Sequence, residues 1–274
     1  MADPRADDVA GARRLLDEAA GQGAARLPAL SAAELWVLCG DRQVLADDAE
    51  ARWWHGMTEA ERARLARAML DLLAERGLLR RDGTLPSPAG DGPGAGGDRP
   101  AGAAMPLVPE IALIVAARQA PAVVAVATGE GGSAAGAPRL FGLAEGGRPP
   151  RVVVAEVVDD KPRGPFGPLH HFSLLSAGRG GHALAAWATE PRAGGRPRRR
   201  GGKADASRVI DVYRYTEDEQ LDHRRIVVRP DGSGAHEVTR QDPGAGTGPA
   251  PAPARTCGTE ELAALLAGTL AGQQ

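Results

Sequence analysis

The sequence predicts an α+β fold, with a helical N-terminal layer packed on an antiparallel meander sheet and disordered Gly/Pro-rich inserts between elements. Three observations predict it. Up to residue 85, leucines recur at helical spacing behind two capping boxes. From Val123 onward, short runs rich in β-branched residues are separated by turn residues. The 274 residues include 37 glycines and 22 prolines, too many for a compact domain without long loops.

The elements follow in order. Val9 to Ala20 carries Leu15 and Leu16 among small and charged residues and reads as a weakly amphipathic helix. Ser31 and Glu34 form an S-x-x-E box that satisfies the free amides of a helix start. Leu35, Trp36 and Leu38 supply its buried side, and Gly40 stops it. Thr58 and Glu61 repeat the box, and Leu65, Met69, Leu72 and Leu73 form the following stripe, closed by Gly77. Asp82-Gly83 is a tight-turn dipeptide, so Leu78 to Leu85 reads as a candidate small hairpin. Residues 1–85 are thus a helical part. Residues 86–104, almost all Pro, Gly, Ala and Asp, form a flexible linker without side chains to offset the entropy of ordering. Residues 105–274 carry the rest of the same domain. A helix at Pro109 to Gln119 comes first. Strands follow at Val123 to Thr128, Leu140 to Leu143, Arg151 to Val158, His170 to Leu175, His182 to Thr189, Val209 to Tyr215, Leu221 to Arg229 and Ala235 to Arg240. Ala177 to Gly181 and Pro230 to Gly234 read as turns, and Gly194 to Ala206 and Pro243 to Pro253 as loose inserts. Leu262, Leu265, Leu266 and Leu270 make the stripe of a closing helix, Glu260 to Leu270.

The bulk numbers exclude several classes. With 33 basic and 35 acidic residues the net charge is −2, unlike a surface built to neutralise phosphates. Cys39 and Cys257 are too few for a disulfide framework, and free thiols fit a reducing compartment. The acidic start lacks the apolar stretch of a secretory signal. The most apolar region, Leu107 to Thr128, is cut by Glu110, Arg118, Pro109 and Pro121, so no membrane segment is expected. The expected location is the cytoplasm.

No motif yields a catalytic, cofactor or metal site. Gly92 to Gly97 fits G-x-G-x-x-G but neither follows a strand nor opens a helix. Gly129 to Ala134 and Gly178 to Ala183 fit a looser form, as chance allows in a glycine-rich chain. Gly202-Lys203 lacks the Ser or Thr of a phosphate loop. Of the histidines, His55, His170, His171, His182, His223 and His236, none shows the spacing that puts two ligands on one helix face. His170 and His171 point to opposite faces of a strand and read as polar strand ends. Asp159-Asp160 sits before Lys161-Pro162 and reads as a solvated loop. Arg192, Arg196, Arg198, Arg199, Arg200 and Lys203 form one basic run, in segment 192–203, without interleaved aromatics to stack bases. Trp53-Trp54 reads as a core anchor, with an exposed recognition surface as the alternative.

Leu30-Ser31-Ala32-Ala33-Glu34-Leu35-Trp36-Val37-Leu38, followed by a long helix ending in Leu73-Ala74-Glu75-Arg76-Gly77-Leu78-Leu79, resembles the opening of the EspG family. These are cytosolic chaperones of type VII secretion in actinobacteria. The order of elements is also similar: an LSxxEL helix, a helix ending in an RGL-like turn, a further helix, then strands and a closing helix. The resemblance implies a mixed fold with a central antiparallel sheet, and binding of a helical secreted pair of WXG or PE/PPE type without catalysis. It identifies no partner-binding residue. The rival is a winged-helix DNA-binding regulator at Ser31 to Leu85. Arg62, Arg64, Arg67, Arg76, Arg80 and Arg81 would supply its basic face, yet Met1 to Gly90 holds 12 arginines against 15 acidic residues. An enzyme is the third reading, since catalytic groups can meet only in space.

Overall fold

The structure is a computed structural model that describes residues 4–79, 107–129, 136–143, 149–159, 166–190, 207–215, 221–230, 235–241 and 253–272. The order of elements is α1 (Pro4–Gln22), β1 (Ala24–Arg26), β2 (Leu30–Ser31), α2 (Ala32–Cys39), a 3-10 turn (Gly40–Arg42), α3 (Asp48–Gly56), α4 (Glu59–Glu75) and α5 (Pro109–Gln119). Then come β3 (Val123–Thr128), β4 (Arg139–Gly142), β5 (Val152–Val158), β6 (Leu169–Ser176), α6 (Ala177–Thr189), β7 (Arg208–Tyr215), β8 (Leu221–Pro230), β9 (His236–Gln241), β10 (Arg255–Cys257) and α7 (Thr259–Leu270).

Both capping boxes form. Ser31 Oγ accepts from the Glu34 amide, and Glu34 accepts from the Ser31 amide at 2.7 Å. Thr58 and Glu61 repeat the exchange at α4. Gly40 and Gly77 take φ of +57° and +70°, the left-handed region in which a glycine ends a helix without strain. Glu34, only 2% exposed, also receives Arg76 Nη1 at 2.5 Å. The two motifs that carry the family resemblance therefore touch one another and lock α2 against the end of α4.

The ten strands form one antiparallel sheet in the order β1-β6-β5-β4-β3-β7-β8-β9-β10, with β2 also on β6. It consists of two meanders, β3 to β6 and β7 to β10, each followed by a helix. They meet at the β3–β7 seam, where Val123 pairs with Arg214 and Thr128 with Val209. The two ββββα halves are thus related by an approximate twofold axis through the seam. On one face α6 and α7 pack together over a core of Val123, Leu140, Val153, Leu184, Ile210, Ile226, Leu262 and Leu266. On the other face α1 to α5 cover the first half alone, around Leu30, Leu35, Leu73, Ile111, Val124, Phe141, Val154 and Leu174. Among the described residues of the second half, only Tyr213 reaches this core.

The sheet with its helical layer accords with the predicted α+β class. Two points differ. His182 to Thr189 is not a strand: Ser176 Oγ caps the Arg179 amide and Ala177–Thr189 is helix α6. Helix α3 and strands β1, β2 and β10 were not anticipated. The predicted hairpin after α4 falls mostly on residues 80–85, outside the described residues; Leu79 itself bridges to Leu107. The predicted linker 86–104, the insert Gly194 to Ala206 and the basic run 192–203 also lie outside them, as does most of Pro243 to Pro253.

Candidate functional site

The densest chemistry lies between the first half-sheet and the helices above it. Arg118, at the end of α5, Glu156 of β5 and His170 of β6 have no exposed surface. Arg118 Nη1 donates to Glu156 Oε2 at 2.9 Å and Nη2 to Gln43 Oε1 at 2.6 Å. The Arg118 guanidinium also stands 5.5 Å from the Phe141 ring centre. His170 Nδ1 lies 2.5 Å from Glu156 Oε1, and its Nε2 lies 3.2 Å from Glu50 Oε1 of α3. Both ring nitrogens face carboxylate oxygens, which can only accept, so the imidazolium is the form that satisfies both. Arg139, mostly buried, approaches Glu156 Oε2 at 4.0 Å.

Opposite charges alternate along this chain of contacts, and the titrations follow. Burial works against the charge on Glu156. Arg118, His170 and Arg139 outweigh it, holding the carboxyl down at about 2. Burial likewise works against the charge on His170, and the hydrogen bonds to Glu156 and Glu50 outweigh it, raising its pKa above 6.5. Desolvation pushes the nearby Cys39 thiol up to about 11, against the pull of Arg118, so it is no nucleophile at neutral pH.

The backbone that delivers these groups is built for the purpose. The Val44 amide donates to the Arg118 carbonyl at 2.6 Å. Leu45 sits at φ +62°, a left-handed conformation that costs a leucine about 1–2 kcal/mol. Asp47 then caps α3 through the Ala49 and Glu50 amides. Of all α3 residues, only Glu50 is buried. The rest of its attachment is aromatic: Trp54 stacks on Trp36 with ring centres 5.6 Å apart, and His55 meets Trp36 edge-on.

The second half-sheet presents a different surface. Tyr213 and Asp211 lie opposite Val124 and Val126, so they share the face that helices cover in the first half. There Asp211 binds Arg225 by two hydrogen bonds, 2.8 and 3.1 Å, and His223 Nε2 at 2.8 Å. The His223 ring stacks on Tyr213 at 4.4 Å. At the end of the same strands, the cross-strand pair Tyr215 and Leu221 is 55% and 53% exposed. A separate cavity of about 170 Å³ lies between β9, β10 and α7, lined by Val238, Arg240, Cys257 and Leu265 among others. It is remote from the buried cluster.

The residues singled out in the sequence fare unevenly. His170 and His171 do point to opposite sides, His171 pairing with Asp159 at 3.1 Å. His170 is not a polar strand end, however; it is the hub of the cluster. Asp160 lies outside the described residues. Trp54 anchors as expected, whereas Trp53 is 37% exposed. The two cysteines are free and buried. Helix α4 carries four acidic residues against three arginines, and its next arginine, Arg76, is engaged by Glu34 and the Ala29 carbonyl. Arg118, Glu156, Glu50 and Gln43 were missed. The available signal was a single charge inside an apolar run, Arg118 after Ile111 to Ala117 and Glu156 within Val152 to Val158. Among the described residues no group of histidine, cysteine and carboxylate side chains could hold a metal, and no helix is long and apolar enough to cross a membrane. No family model, curated protein or solved structure matches the chain.

Proposed function

We propose that the chain is a cytosolic binding protein without catalytic activity, an EspG-like chaperone or adaptor for type VII secretion substrates. One observation carries the docking part of this reading. Two half-sheets of the same design share a seam, yet α1 to α5 cover only one of them. The other offers Tyr213, Tyr215, Leu221 and His223 on the corresponding face, and a helical pair laid there would complete the layer. The buried cluster fits the same reading. Its histidine and carboxylates are spent on one another and on Arg118, with no surface for a substrate.

The test is co-expression with a WXG-type or PE/PPE-type helical pair encoded beside this gene. The expected result is a complex that survives purification and is weakened at least tenfold by Tyr215→Ala with Leu221→Ala. Absence of any complex across such pairs overturns the reading. A salt-sensitive gel shift on DNA would favour the winged-helix regulator instead.

A further inference from the structure

Helix α3 is held in an unusual way. A short amphipathic helix ordinarily docks by burying apolar side chains. Here the one buried residue is Glu50, and its carboxylate ends on the imidazole of His170, itself fully enclosed. The segment before α3 turns through the left-handed Leu45, and the C-terminal end of α3 passes through extended Met57 directly into the cap of α4. Both ends are therefore natural pivots.

We propose that α3 is a charge-latched flap: the His170 imidazolium holds it down through Glu50, and loss of that proton lets α3 swing off the sheet. Charge alternation explains the direction. With the proton present, Nε2 donates to Glu50 and Nδ1 to Glu156. Without it, the remaining proton stays on Nδ1 beside Glu156, and Nε2 turns a lone pair on a buried carboxylate. Such an unpaired carboxylate is costly to keep from water, and the cheapest relief is to return it there.

Among the described residues, the charged and titratable groups around His170 fit this assignment. Glu156 of β5 stays ionised, held by Arg118 of α5 with Arg139 of β4 at the rim. Cys39 of α2, raised to about 11, stays neutral while His170 titrates. Glu34 of α2 is occupied by Arg76. The imidazole is flanked on its own strand by Phe172, with ring planes stacked. Release would part Trp54 of α3 from Trp36 of α2 and bare the polar floor beneath α3, making the flap a switch on the helical side of the molecule.

The four tryptophans make it measurable, because three of them belong to this region and only Trp187 lies elsewhere, under Arg208. In full-length protein carrying Trp187→Phe and His55→Gln, tryptophan fluorescence is followed from about pH 6 to about pH 10. The His55 change removes a surface imidazole that touches Trp36. The expected result is a one-proton transition in fluorescence at unchanged far-ultraviolet circular dichroism. Glu50→Gln, whose amide can donate to neutral Nε2, should abolish the transition and keep the docked signal throughout. A flat wild-type profile, the same transition in Glu50→Gln, or loss of circular dichroism at the same pH would each overturn the latch.

Discussion

Arg118 shows how one residue sets the terms for its surroundings. It emerges from an apolar helix into a space closed to solvent. There it must satisfy Glu156, Gln43 and Phe141 at once. Removing one member of such a pair leaves the other charge buried and unpaired, which costs about 3–5 kcal/mol. Arg118→Met should therefore lower the free energy of unfolding by about that amount in urea titration. A loss below about 1 kcal/mol would mean that the cluster opens to water more readily than its geometry implies. At this scale the sequence is hard to read. Glu50, Arg118, Glu156 and His170 are far apart along the chain, and no spacing rule connects them. What it does show is a carboxylate inside the apolar run Val152 to Val158, buried from Val152 to Glu156, where a lone charge implies a partner somewhere.

At the scale of elements, capping and periodicity were legible because they are local. Ser31 with Glu34, and Thr58 with Glu61, mark helix starts that the structure reproduces. Pro109–Gln119 and Val123–Thr128 fall where the pattern puts them. Helix α6 was misread because Gly178-Arg179-Gly180-Gly181 looks like a turn to any local rule. Its glycines answer to a neighbour instead. A Cβ on Gly181 would lie 2.5 Å from the Ala263 carbonyl oxygen and 2.7 Å from the Ala267 amide, both in α7. The price of a weak helix former is repaid by close packing of the two helices that end the two half-sheets. Gly181→Val should push them apart and cost about 1–3 kcal/mol, seen as a fall in Tm, whereas Gly178→Val, where nothing stands within 4 Å, should cost far less. Equal losses at both positions would refute the packing argument. Helix α3 escaped notice for the complementary reason: its one buried residue is a charge, Glu50, so it has no buried apolar stripe to find.

Across the whole molecule, the buried cluster should print itself on the pH dependence of stability. Glu156 is lowered from 4.5 to about 2, so its contribution is present above 4.5 and is lost as pH falls toward 2. His170 is raised above 6.5, so its contribution is complete below 6.5 and fades as pH rises through its folded value. The cluster therefore contributes most between about 4.5 and 6.5. The urea midpoint of the wild type should fall on either side of that window, and its alkaline fall should flatten in Glu50→Gln; a midpoint that climbs steadily through mild alkali would contradict the assignment. The seam between the halves has a separate consequence, for biosynthesis. Val123–Thr128 ends centrally placed, yet its neighbour Arg208–Tyr215 is made about 80 residues later. At about 5–20 residues per second, the nascent chain presents an uncapped border, apolar from Val123 to Ala127, for several seconds, an invitation to adhere to other polypeptides. Cells making this protein at high rate should accumulate insoluble material unless something on or near the ribosome shields that border until the final third of the chain has emerged.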